Sequence, residues 1–523
     1  MKFTTPEAIR LALLSRREIA LFDLRGEAAF ATGHPLFAAN LPLGHLEQRI
    51  LFLVPRKETP VVVYDDGEGY AVPAFDRLTA IGYTDVSVMK GGLSAWKGAG
   101  YELFEDVNSA SKAFGELVEA RRHTPSVSPQ DARALIESDA DLVVLDVRRF
   151  DEYQRMSIPH GISVPGAELV LRARTIAPDP ATTIIVNCAG RTRGLIGTQS
   201  LINAGLPNRV MALRNGTIGW TLAGQELNHG RTESFPDVGK KEREDARAAA
   251  QAVSYRAGVK RLSPQQLDTL KDDRSRTLYL FDVRTAEEYR KGHIEGFVNI
   301  AGGQLVQETD MYAPVRGARI VLADDIGPRA DMSASWLAQM GWDAYVLEGG
   351  FDGELATGEH EAPRTPAPKA PTITAAELHD MAGDAACGVV DVSLSTSYSE
   401  GHIPDAMFAM RSRLPDAVAA LDRFGRIVVT SEDGYTARFA AIELQPLVNA
   451  EVLALDGGNG AWRSEGLAWV AGAGHRLTAA DDRYRRPYEG TDNPVEAMQA
   501  YLDWEFGLVA QLERDGTHGF FVI

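Results

Sequence analysis

Apolar and polar positions along this chain repeat one order four times. Each round opens with a Ser or Thr just ahead of Pro or Ala, followed closely by Glu or Gln: TTPEAI, VSPQDARAL, LSPQQLDTL and ITAAELHDM. This predicts a helix N-terminus, because the hydroxyl accepts an unpaired first-turn amide and proline has none to lose. An apolar run closed by aspartate follows, in ALFDLR, LVVLDVR, LYLFDVR and GVVDVS, ending at Asp23, Asp146, Asp282 and Asp391. A second run, PVVVYD, TIIVNC, RIVLAD or RIVVTS, leads through a loop into a helix that stops near glycine (LTAIGY, LINAGL, LAQMGW). A third strand then enters a glycine turn, MKGGLSAW, LRNGTIGW, LEGGFDG or LDGGNGAW. Continuous apolar runs alternating with helices predict parallel strands buried on both faces.

The spacing holds between rounds. The loop after the second strand begins 42 positions beyond the strand aspartate in the first three rounds (Asp65, Cys188, Asp324) and 40 beyond it in the fourth (Ser431). The expected fold is therefore α/β: four tandem units, each a small parallel sheet with helices on both faces, plus a helical C-terminal tail. The units are expected over residues 1–107, 120–233, 255–360 and 372–470, with the tail at 471–523. KKEREDARAAAQ, from Lys240, reads as an exposed helical connector, and EAPRTPAPKAPT, from Glu361, as an extended Pro-rich linker. NPVEAMQAYLDWEFGLVAQLERDG reads as one amphipathic helix capped by Asn493 with Pro494 in its first turn.

Composition narrows the function. With 523 residues the chain exceeds one ordinary core. Its formal charge of −18 argues against nucleic acid or another polyanion as a partner. Cys188 and Cys387 are the only cysteines, too few for a disulfide framework, so a reducing cytoplasm is the expected location. MKFTTPEAIR lacks a signal-peptide pattern, and no apolar stretch reaches the ~20 residues of a membrane helix.

The loop VNCAGRTRG concentrates the chemistry. A loop between a strand and a helix N-terminus gathers backbone amides into an anion site. Cys188 begins that loop and Arg191 and Arg193 follow it. Dipole, amides and guanidinium groups together favour thiolate over thiol, so Cys188 is expected to be the catalytic nucleophile and unusually reactive near neutral pH. Ala189, Gly190, Arg191, Thr192, Arg193 and Gly194 are expected to hold an anionic substrate and its leaving group.

The repeat resembles the rhodanese (thiosulfate sulfurtransferase) family, as four tandem domains covering most of the chain. The residues that carry the resemblance are DVRRFDEY and DVRTAEEY, the turns KGHIEGFVNI and EGHIPDAM, the Cys-led loop, and the closing turns with Trp96, Trp220 and Trp462. The resemblance implies that Cys188 takes a sulfane sulfur from thiosulfate or a related anionic donor, becomes a persulfide, and passes the sulfur to a thiol or cyanide. It places Arg193 at the family's sixth loop position. No cofactor is expected, and no metal, since no His/Cys cluster has metal-ligand spacing. Two departures stand out: the loop glycine comes one place early, at Gly190, with Arg191 where the family has glycine, and the second unit reads RMSIPHGISVP, which displaces His160.

The remaining residues read as structural. Asp–x–Arg recurs without a thiol in the first and third units, so Asp146 and Arg148 are expected to form a shared internal salt bridge or a loop tether. His34, His293 and His402 are expected to make structural hydrogen bonds, Trp220 to pack, and Cys387 to sit in a core strand. The carboxylates of Asp65, Asp66, Glu68, Asp324, Asp325, Glu432 and Asp433 are expected to fill their own loops and leave those three units inactive. Alternatives are a sulfur-relay or protein-binding module without turnover, and a Cys-dependent phosphatase. The phosphatase is disfavoured because C-x5-R would need arginine where Gly194 stands. Assembly as a homo-oligomer and transfer to a protein acceptor stay open.

Overall fold

The computed structural model describes all residues except Asp139, Ala382 and Thr491. Four parallel sheets follow one another along the chain. In the second, the strands are Ser126–Val127, Leu142–Asp146, Gly161–Ser163, Thr183–Asn187 and Val210–Leu213. Their spatial order is first, fifth, fourth, second, third, and the other three sheets repeat it; the fourth adds His475–Arg476 at its edge. The fold class is as expected. Each sheet also carries two short strands that the apolar runs did not announce, such as Phe3–Thr4 and Ala38–Asn40 in the first.

Local chemistry explains the elements. Thr5, Ser128, Ser263 and Thr374 cap the first helices, each hydroxyl accepting the amide three residues on. The last two form reciprocal boxes with Gln266 and Glu377. The helices after the loops end at Gly82, Gly205 and Gly341, all at positive φ, where a Cβ would be strained. The middle strand Val61–Tyr64 is buried at every position, as a parallel strand covered on both faces requires.

Asp146 and Asn187 are register partners at the ends of adjacent strands, so the aspartate turn and the loop at Cys188 open at the same sheet edge. Arg148 Nε and Nη2 donate to Asp146 at 2.9 and 2.7 Å, and Nη2 also donates to the Met156 carbonyl at 2.6 Å. Arg25 and Arg284 do the same with Asp23 and Asp282. In the fourth unit Ser393 and Asn459 satisfy Asp391 instead. The expected internal ion pair is therefore present three times. Arg148 is 0% exposed, so Arg148→Ala strands a buried carboxylate and is expected to cost about 3–5 kcal/mol, read from the urea midpoint.

Each histidine of the GHI turns stacks on an aromatic ring, as His293 does on Tyr289 with centroids 3.7 Å apart, and bonds backbone carbonyls. His34 stacks on Phe30 and His402 on Tyr398 in the same way. In the second unit Ser157 occupies the equivalent bridge, and His160 sits at a turn with φ 62°. Trp220 packs, its indole N–H donating to the Glu226 carbonyl. Cys387 opens the strand Cys387–Asp391 and is half-buried.

Three connections differ from expectation. The connector helix Lys240–Arg256 is not simply exposed: Ala246, Ala250 and Val253 are buried as it packs on Leu169–Ile176 and Pro328–Gln339 of the flanking units. A helix unread in the sequence, Ser109–Arg122, joins the first two units and is buried along most of its length, despite its Ser, Lys and Glu residues. The C-terminal helix runs Val495–Asp515, with Pro494 at its N-cap and Asn493 outside it, donating to the Glu489 carbonyl. A proline at the cap position supplies no side-chain acceptor, so Asn493 turns back to the preceding segment.

The tail binds the units together. It adds a strand to the fourth sheet, donates Tyr484 N–H to the Glu27 carboxylate of the first unit, and donates Phe521 N–H to the Gln339 carbonyl of the third. Met498, Tyr501 and Leu502 meet Ile218 of the second unit in one apolar cluster. Among the described residues no helix is long and apolar enough to cross a membrane.

Candidate active site

The loop at Cys188 is shaped by the glycine turn beside it. Thr217 N–H donates to the Cys188 carbonyl at 2.9 Å and Ile218 N–H to the Ala189 carbonyl at 3.0 Å. Gly216 has φ 55°, and a Cβ there would lie 2.2 Å from the Cys188 carbonyl oxygen. Only glycine allows the two segments to approach this closely. The helix Thr192–Asn203 starts inside the loop, and a Cβ on Gly194 would stand 3.3 Å from Cys188 Sγ. The sulfur therefore lies against the Gly194 amide, which donates to it.

The same amide position is filled in every unit. Asp65 accepts the amides of Gly67 and Ala71 at 3.1 and 2.9 Å. Asp324 accepts those of Ile326, Arg329 and Ala330 at 3.2, 2.9 and 3.4 Å. Ser431 Oγ accepts that of Ala437 at 3.1 Å. Ala71, Ala330, Ala437 and Gly194 all lie six residues after the first loop residue. A carboxylate in this nest takes the place of a bound anion, as expected for the first and third units.

The arginines behave otherwise than their spacing suggests. Arg193 donates to both oxygens of Glu152, at 2.7 and 2.9 Å. Burial pushes Glu152 up, but Arg193 outweighs it and holds the carboxyl down at about 2. Arg191 donates to both oxygens of Glu116, at 2.7 and 2.9 Å, and pairs with Glu119 and Asn215. Both arginines are thus paired with carboxylates, Glu152 for Arg193 and Glu116 and Glu119 for Arg191, so the positive charge expected of the loop is compensated. Arg191 and Arg193 brace the loop. Glu152 is the E of the E-Y pair, and in the third unit Glu288 pairs with Arg329 at the equivalent two positions. Glu116 and Glu119 carried no signal in the sequence.

The thiol follows from this. Cys188 is 2% exposed, and burial pushes it up to about 11, with Arg193 and the Gly194 amide opposing only in part. The thiolate expected from the sequence is therefore not the resting form. The proton stays on sulfur at neutral pH. Alkylation of Cys188 by iodoacetamide is expected to be slow at pH 8 and still rising at pH 10, where a free cysteine has levelled off. A plateau near pH 8 contradicts this burial effect.

Comparison with known proteins now bears on the whole chain. The sequence profile of the Rhodanese-like domain matches residues 8–99, 128–223, 263–356 and 374–465, most of the chain in four copies. The chain belongs to the rhodanese-like family. It is similar along its whole length to a solved thiosulfate sulfurtransferase from Pseudomonas aeruginosa, 56% identical, with 100% of each chain covered and a TM-score of 0.98. A thiosulfate sulfurtransferase of Azotobacter vinelandii is 28% identical over 204 residues, 35% of this chain and 74% of that protein. The thiosulfate sulfurtransferase GlpE of Stutzerimonas stutzeri is 35% identical over 75 residues, 14% of this chain and 69% of that protein. This four-copy rhodanese is a sulfurtransferase in the general sense of its family.

Proposed function

We propose that this rhodanese moves a sulfane sulfur from thiosulfate or a related anionic donor to a thiol or cyanide, through a persulfide on Cys188. The carrying observation is the set of four equivalent loops: Asp65, Asp324 and Ser431 offer no sulfur nucleophile, and only Cys188 does. The Cys188 thiolate attacks the outer sulfur of the donor, the S–S bond breaks, and sulfite leaves with the electron pair. An acceptor thiolate or cyanide then attacks the terminal sulfur, and Cys188 departs as thiolate. The Gly194 amide and the other loop amides hold the negative sulfur in both steps. Ala189, Gly190 and Thr192 shape the cradle, with Arg191 and Arg193 as its braces. Phosphate hydrolysis is disfavoured, since Gly194 touches the sulfur where a longer loop would need its arginine. Mass spectrometry after exposure to thiosulfate tests the reading: one sulfur atom gained at Cys188 and lost to a thiol supports it, and no gain rejects it.

A further inference from the structure

The C-terminal helix meets the loop at the two places where it departs from the family pattern. A Cβ on Gly190 would lie 3.2 Å from Tyr501 Cε1 and 3.5 Å from Glu505 Oε2. The early glycine therefore gives the helix room to descend onto the loop. The Arg191 guanidinium, displaced into the usual glycine position, stands 4.3 Å from the Phe506 ring centroid. Lys112, on the linker helix, completes the seat. It pairs with Asp106 at 2.9 Å and lies 5.4, 5.0 and 5.5 Å from the rings of Tyr488, Tyr501 and Trp504.

This seating delivers one carboxyl group to the loop. Glu505 is 0% exposed; Oε1 accepts from Tyr501 Oη at 2.9 Å and lies 3.5 Å from Thr192 Oγ1. Its other oxygen, on the Gly190 side, has no hydrogen-bond partner among the described residues. An unpartnered buried carboxylate oxygen is expensive to keep, and here it lies on the Gly190 side of the loop that carries Cys188, whose thiol must lose a proton before it can react. Arg191, Arg193 and Glu152 are committed to one another or to Glu116, which leaves Glu505 as the basic group of the site with a free lone pair.

We propose that Glu505 is the proton acceptor for sulfur transfer at Cys188. The proposal rests on Cys188 being the sulfur carrier. In the first half-reaction the Glu505 carboxylate takes the thiol proton, directly or through one water, as the sulfur attacks the donor. Sulfite leaves with the electron pair of the broken S–S bond, and the proton then passes from Glu505 to solvent. In the second half-reaction Glu505 accepts the proton of an acceptor thiol. That thiolate takes the terminal sulfur, and Cys188 leaves as thiolate and recovers the proton from Glu505.

The groups facing Glu505 are Lys112 and Glu116 from the linker helix, Arg191 and Thr192 from the loop, and Tyr501 from its own helix. Tyr488 and Asp106 lie across the Lys112 cage. Burial and Glu116 raise the carboxyl, Lys112, Tyr501 and Arg191 lower it, and the balance stands at about 8. A base must be deprotonated to act, so the loading rate is expected to rise with pH through about 8.

The test measures sulfur loading of the full chain by thiosulfate, in single turnover, by quench and mass spectrometry from pH 6 to 10. Glu505→Gln is expected to load about 10²-fold more slowly at pH 7, with no plateau above pH 8. Tyr501→Phe removes a hydrogen bond to the carboxylate, so its pH limb is expected to move upward. Loading of E505Q at or above the wild-type rate overturns the proposal, because a carboxylate acting only by its charge would hinder thiol ionisation, and its removal would help. An unmoved limb in Y501F also counts against it. If the wild-type protein itself gains no sulfur, the sulfur-carrier reading fails first, a result distinct from either variant's.

Discussion

Cys188→Ser is expected to abolish sulfur transfer, lowering sulfite release from thiosulfate by about 10⁴-fold or more. The size of the effect follows from the lack of any substitute. Asp65 and Asp324 already bond their own loop amides, and Ser431 Oγ accepts from the Ala437 amide. A serine at 188 would share the buried nest, but an alcohol ionises far less readily than a thiol and forms no persulfide. The substitution replaces one small buried atom, so thermal unfolding is expected to shift little. Sulfite release by the variant at a rate near that of the wild type would place the chemistry elsewhere and remove the basis for calling the other units inactive.

Much of the fold was legible because it is written in local terms. Hydroxyl caps, apolar runs, helix-ending glycines and the Asp–x–Arg turn are settled within about ten residues, and repetition confirmed each one. The loops were legible for the same reason: position, spacing and residue type together isolated Cys188. What could not be read is what the fold brings from afar. Arg191 meets Glu116 and Glu119 across 75 and 72 positions, and Thr192 meets Glu505 across 313. No periodicity marks such partners, and a carboxylate on a helix reads as a solvated charge until its burial is seen.

The direction of the thiol's shift turned on burial. Counting the loop's arginines predicts a thiolate; burial of the sulfur reverses the result, with Arg193 and the Gly194 amide opposing it only in part and Glu505 of the tail adding to it. A reactive cysteine is commonly inferred from nearby positive charge. Here that inference needs the cost of burial as well, and segments outside the repeat, the linker helix and the tail, pack on the loop. The three units without the cysteine thus have a physical role beyond filling space, since the tail that covers the loop is anchored on each of them.

Gly216→Ala is expected to lower turnover by about 10²-fold while leaving the protein folded. At 2.2 Å from the Cys188 carbonyl oxygen, an added methyl group must push the loop back by about 1 Å to reach an ordinary contact. A misplacement of that size at a reacting centre costs about 10²-fold in rate. The left-handed backbone at φ 55° adds a strain of about 1–2 kcal/mol, visible as a modest fall in Tm. Gly92→Ala supplies the control. Gly92 has φ 57°, and its Cβ would lie 2.3 Å from the Asp65 carbonyl oxygen in the first unit, so the leading clash and the backbone strain are alike but no thiol is displaced. Both variants are expected to lose stability, while only G216A loses activity. Equal losses of activity would mean that the effect travels through global stability and not through the placement of Cys188.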